Sequence, residues 1–118
     1  MNALKLLAIA AAIAVSAVTP GVAAEAGTSV DIVASNWKFT PGTIQLHVGQ
    51  VATLRVTSTE GVHGLQSDEL GIPQTTIAPG SVKTITITPK KTGKYVLHCS
   101  VFCGNGHADM TITVTVVP

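Results

Sequence analysis

Apolar and polar side chains alternate with a period of two through most of the chain beyond residue 42. In MTITVTVV (residues 110–117), Met110, Ile112, Val114 and Val116 alternate with threonines and valines. That period puts one face of a strand in a core and the other in water. VKTITITP does the same with Ile85 and Ile87, TIQLHV with Ile44, Leu46 and Val48, and VATLRVT with Ala52, Leu54 and Val56. Pro41-Gly42, Gly49-Gln50, Pro79-Gly80 and Thr92-Gly93 punctuate these runs as turns. Short alternating strands at this spacing predict an all-β domain, an antiparallel β-sandwich with Greek-key connections. No helix of useful length is expected after the first residues.

Those first residues follow a different pattern. Lys5 precedes an apolar run from Leu6 to Val18, Pro20 breaks it, and small residues stand at Val22 and Ala24, the spacing a signal peptidase reads. The run falls short of the roughly 20 residues that cross a bilayer. The pattern therefore predicts a helical signal peptide over residues 1–24, cleaved on export to the periplasm, rather than an uncleaved membrane anchor. No cysteine lies near the cleavage point, which argues against a lipoprotein. Residues 25–118 suffice for one small domain. The formal charge of the whole chain is +1, and without Lys5 basic and acidic residues balance. Nothing in that balance points to nucleic acid or to an anionic membrane surface.

The chemistry is concentrated near the C-terminal end. CSVFCGNGHADM (residues 99–110) holds both cysteines, one of the four histidines and the only methionine besides Met1. Sulfur and imidazole are the donors that soft and borderline transition metals select, so copper is a better candidate than calcium or magnesium. A structural disulfide is the other reading of two cysteines in an exported protein. In KYVLHC, a strand running into the motif, Tyr95, Leu97 and Cys99 share one face while Val96 and His98 point away. His98 is thereby set apart from Cys99, and His47 falls on the polar face of its own strand. Phe102 to Ala108 has the composition of a tight loop, which can return Cys103 and His107 to Cys99, with Met110 opening the next strand. A further donor must come from another connection, and His63 in TSTEGVHGL follows a strand at the loop-like Glu60-Gly61. Ser100 lies beside Cys99, but no Ser, His, Asp arrangement accompanies it and no catalytic acid-base pair is evident.

Residues 29–117 resemble the cupredoxin domain of cytochrome c oxidase subunit II, which carries the binuclear CuA centre. The family pattern C-x3-C-x3-H-x2-M is met by Cys99, Cys103, His107 and Met110, with His63 upstream and Pro79-Gly80 between. The resemblance implies a cupredoxin-like sandwich and two copper ions bridged by both thiolates. His63 and His107 would each terminate one copper, with Met110 a weak axial ligand on one and the backbone carbonyl of Val101 on the other. It implies an electron-transfer module rather than an enzyme by itself, serving a respiratory oxidase. The implied partners are a c-type cytochrome or another basic redox protein, and oxidase subunit I. Two departures qualify this. Many relatives carry an acidic residue where this chain has Val101, and the usual transmembrane hairpin is missing, which favours a small soluble periplasmic relative. Two other readings stay open: a mononuclear blue-type copper protein using His63, Cys103, His107 and Met110, and a copper chaperone or CuA-assembly protein. Cys99 counts against the first and the low methionine content against the second. A nitrous-oxide reductase fragment shares the motif without the large His-rich domain.

Charge completes the expectation. Glu60, Asp68, Glu69 and Asp109 are placed by the sequence in or beside the ligand loops, and Lys83, Lys90, Lys91 and Lys94 before them. An acidic copper end would steer a basic partner. The sole tryptophan, Trp37, reads as core, with a role in receiving electrons as the alternative.

Overall fold

The computed structural model describes residues 27–118 together with Ala12 and Ala14. Apart from those two alanines, the signal peptide expected over 1–24 lies outside the described residues. Nine strands follow in order: β1 Thr28–Ser35, β2 Lys38–Thr40, β3 Thr43–His47, β4 Ala52–Ser58, β5 His63–Ser67, β6 Ile72–Ile77, β7 Lys83–Ile87, β8 Gly93–His98 and β9 Thr111–Val117. One turn of 3-10 helix, His107–Asp109, interrupts the last connection. Among the described residues, no helix is long and apolar enough to cross a membrane.

The strands form a sheet in the order β2-β1-β4-β7, a second in the order β3-β9-β8, and a separate β5-β6 hairpin. Alternation determines what the two main sheets face. Ile32, Ala34, Leu54, Val56, Ile85 and Ile87 from the first meet Ile44, Leu46, Leu97, Ile112, Val114 and Val116 from the second in one buried cluster. Burying each of the valine, leucine and isoleucine side chains among them is worth about 1.5–3 kcal/mol, and this is what holds the sandwich together.

The all-β sandwich is as expected, but its sheets are mixed rather than purely antiparallel. β1 runs parallel to β4 from Thr28↔Ala52 to Ala34↔Ser58, and β3 runs parallel to β9 from Thr43↔Thr113 to His47↔Val117. The period of two records which face is buried and carries no information on strand direction. The chain pairs β2 back on β1, then crosses at Pro41-Gly42 to lay β3 on the opposite sheet. Val48 is a second correction. It is 38% exposed, because β3 ends at His47 and the chain turns through Gly49, whose φ of 76° lies in the left-handed region. Ala78-Pro79-Gly80-Ser81 is a turn closed by Ser81 N–H donating to the Ala78 carbonyl at 3.1 Å, with Gly80 at φ 82°. Proline followed by a positive-φ glycine is the chemistry of a type II turn.

Candidate metal centre

Each half of the sequence motif is held by backbone bonds before any metal is considered. Cys99 extends the β8–β9 pairing, its N–H donating to the Met110 carbonyl at 3.0 Å. Ser100 N–H then donates to the Gly64 carbonyl at 3.1 Å, tying the loop to the start of β5. Gly64 permits that approach: a Cβ there would lie 2.5 Å from Ser100 Oγ and 2.7 Å from Val101 Cγ2. Beyond Cys103 the chain reverses at Gly104, φ 114°, and His107, Asp109 and Met110 donate to the carbonyls of Gly104, Gly106 and His107. This places Cys103 and His107 one turn apart and returns Met110 to the core, where it is fully buried.

The donor atoms converge at this end of the sandwich. A ring nitrogen of His63 and the Sγ atoms of Cys99 and Cys103 all lie within 4.8 Å of one another. His63 Nδ1 is 3.8 Å from Cys99 Sγ, and His107 Nδ1 is 3.4 Å from Cys103 Sγ. The Cys99 thiol donates to the Val101 carbonyl at 3.1 Å, and Met110 Sδ lies 3.7 Å from Cys103 Sγ. All six predicted positions are thus brought together, His107 and Met110 joining through Cys103. His98 is exposed on the outer face, and His47 is exposed with Nδ1 3.1 Å from the Pro118 carbonyl. Both cysteines are free thiols, so the disulfide reading is not what the structure holds.

His63 is oriented from behind. It opens β5 instead of sitting in a loop, is 0% exposed, and its Nε2 lies 2.8 Å from the Glu60 carbonyl. A carbonyl only accepts, so Nε2 carries the proton and the lone pair of Nδ1 faces Cys99. The Ser58 hydroxyl, within reach of the carbonyls of Glu60 at 3.1 Å and Gly61 at 2.6 Å, steadies the segment that carries this acceptor. On the other side the Phe102 ring lies 5.4 Å from the His107 ring at 48°.

Burial, together with the neighbouring Cys99 thiol, pushes the Cys103 thiol up from 9.0 to about 11. At neutral pH the metal-free site therefore holds a protonated Cys103, and loading a metal onto it must release that proton. The same shift makes the metal-free fold sensitive to alkali. Between pH 9.0 and about 11 the unfolded chain gives up a proton that the folded chain retains, so stability falls as pH rises through that window. Urea midpoints of the metal-free chain should decline across it, and Cys103→Ser should flatten the decline.

The structure corrects the charge map. Asp68 and Glu69 stand at the β5–β6 turn, at the far end of β5 from His63, about 16 Å away at the usual strand rise. There they line cavities shared with Lys90 and, for Glu69, also with Lys91 and Tyr95. Only Glu60 and Asp109 remain beside ligand residues. Trp37 is a further correction, being 40% exposed rather than core. Its indole Nε1–H donates to the Cys103 carbonyl at 2.8 Å, and its ring lies over Gly104 and Gly106. Sequence reasoning also passed over Gly64, for which its place directly after a ligand-type histidine was the available signal.

A β-sandwich that gathers thiol, imidazole and thioether donors at one end belongs to the metal-site β-sandwiches. More narrowly, the family model for the cupredoxin-like domain matches residues 5–114, and the chain belongs to that family. Cytochrome c oxidase subunit 2 of Thermus thermophilus is 30% identical over 88 residues, covering 75% of this chain and 64% of that protein. The chain thus spans less than two thirds of the length of that relative. Among solved structures, the periplasmic domain of subunit II of cytochrome oxidase of Bradyrhizobium japonicum superposes with a TM-score of 0.68 at 20% identity, over 76% of this chain and 83% of that one. A chain of a heme-copper terminal oxidase dimer gives a TM-score of 0.68 at 28% identity, over 78% and 66%.

Proposed function

We propose that this chain is an exported electron-transfer protein of the cytochrome c oxidase subunit II type, with a binuclear CuA centre. Residues 1–24 would be its signal peptide and 25–118 its mature cupredoxin domain. The observation that carries the reading is a donor set that comes in two matching halves. Cys99 has an imidazole, His63, and a weak oxygen donor, the Val101 carbonyl; Cys103 has an imidazole, His107, and a weak sulfur donor, Met110. One metal needs one such half. Two halves sharing adjacent thiols suit two metals bridged by both sulfurs, and the softness of the donors selects copper.

Two coppers sharing two thiolates would spread one unpaired electron over both, which keeps bond-length changes on reduction small. The chain's own part is to hold the donors still. β8 and β9 fix Cys99 and Met110, the Glu60 carbonyl fixes the tautomer of His63, and the 3-10 turn fixes His107. Around these ligands Val62 is 44%, Trp37 40% and Phe102 80% exposed. That apolar rim, with Glu60 and Asp109, suits close approach of a c-type cytochrome as donor and of oxidase subunit I as acceptor.

Anaerobic loading with copper followed by rapid mixing with a reduced c-type cytochrome tests the function. Electron transfer to the bound copper is the expected result. If the oxidised, copper-loaded chain took up no electrons, while the chain loaded with Cu(I) passed its metal to a competing Cu(I) acceptor, metal delivery would replace electron transfer. Within this reading, Met110→Leu preserves volume and should cost the fold less than about 1.5 kcal/mol. It removes a donor that favours oxidised copper, so the reduction potential should rise, as measured by redox titration.

A further inference from the structure

The turn between β1 and β2 touches both ligand-bearing segments. Asn36 N–H donates to Glu60 Oε1 at 3.1 Å, and Asn36 Oδ1 sits against Gly61, where a Cβ would come within 2.6 Å of it. Two residues earlier, the Ala34 carbonyl accepts from Thr59 N–H at 2.9 Å. These contacts grip the segment that leads into His63 and supplies the carbonyl behind it. The next residue, Trp37, reaches the other way. Its indole donates to the Cys103 carbonyl, and its ring would meet a Cβ on Gly104 at 3.0 Å and on Gly106 at 2.5 Å. The two glycines let the loop lie flat beneath the ring. Ser35 pairs with Lys38 across this turn, so Asn36 and Trp37 are adjacent residues on a short hairpin and move together.

We infer that Asn36-Trp37 is a clasp that couples the His63 segment to the Cys103–His107 loop, with Glu60 and Trp37 as positioning residues. Neither side chain is a metal ligand in the proposed site. Their effect is to keep the imidazoles of His63 and His107 at a fixed separation before metal arrives, which lowers the ordering cost of loading it. Glu60 therefore acts on a loop that it does not touch. The inference concerns the metal-free chain, so its failure leaves the copper reading untouched, and failure of the copper reading leaves it standing.

Hydrogen exchange in the metal-free chain tests this at the amides of His107, Asp109 and Met110, which close the loop. Glu60→Ala should speed their exchange by about fivefold, the factor that one ordinary hydrogen bond is worth. The core amides of β4 and β9 should be unmoved. Glu60→Gln, which keeps an accepting oxygen, should restore the wild-type rates. Trp37→Phe should speed the same amides, and adding Glu60→Ala to it should change them little further, because the connection is already cut. Wild-type exchange of the loop amides in Glu60→Ala, or full additivity of the two substitutions, would overturn the clasp.

Discussion

Cys99→Ser should lower the copper content of the proposed binuclear centre from two per chain to at most one. Cys99 is almost completely buried, with its sulfur between His63 Nδ1 at 3.8 Å and the Val101 carbonyl at 3.1 Å. In the proposed centre, taking that sulfur away would remove one of the two shared thiolates and leave Cys103, His107, Met110 and His63, a set for a single copper. The serine hydroxyl can still donate to the Val101 carbonyl, so the sandwich stays folded while the site changes class. Metal analysis and the visible and electron paramagnetic resonance spectra of both proteins, reconstituted with thiols reduced, read the difference. A mononuclear site built on Cys103 would make Cys99 a bystander and leave copper content and spectrum alike in the two.

Leu65→Ala carries the largest expected loss of stability near the site. Leu65 is buried on β5, two residues from His63 and therefore on the same face, and it pairs across to Thr75 of β6. Truncating a buried leucine removes transfer energy and leaves a cavity, at about 2–5 kcal/mol. Small domains hold only about 5–15 kcal/mol in all. The metal-free variant should show a much lower urea midpoint than wild type. Gln66→Ala, on the exposed face of the same strand, should change it by less than about 0.5 kcal/mol. Equal midpoints for Leu65→Ala and wild type would mean that the β5–β6 hairpin is not packed as described.

β3, β4, β7, β8 and β9 were legible because each has one wet and one dry face. β5 and β6 were not. β5 buries three successive residues, His63, Gly64 and Leu65, and β6 carries a run of polar residues between its buried ends. Neither leaves a period to read. The ligand cluster was legible because its spacing within one loop is local, and His63 because its residue type completed the set. What holds those ligands was hidden, since it depends on long-range contacts. The Trp37 indole bonds a carbonyl 66 residues away, and Asn36 N–H reaches a carboxylate 24 residues away. A backbone carbonyl such as that of Glu60 has no signature in a side-chain pattern at all. The acidic cluster misled because Glu60 and Asp68 look close along the chain, while an extended strand carries them to opposite ends of β5.

The copper content of the wild-type chain, measured together with its electron paramagnetic resonance spectrum after anaerobic reconstitution, tests the central claim most directly. The account predicts two coppers per chain and a hyperfine pattern from one electron shared equally by two copper nuclei. One copper per chain with the splitting of a single nucleus, or no bound copper, would contradict it.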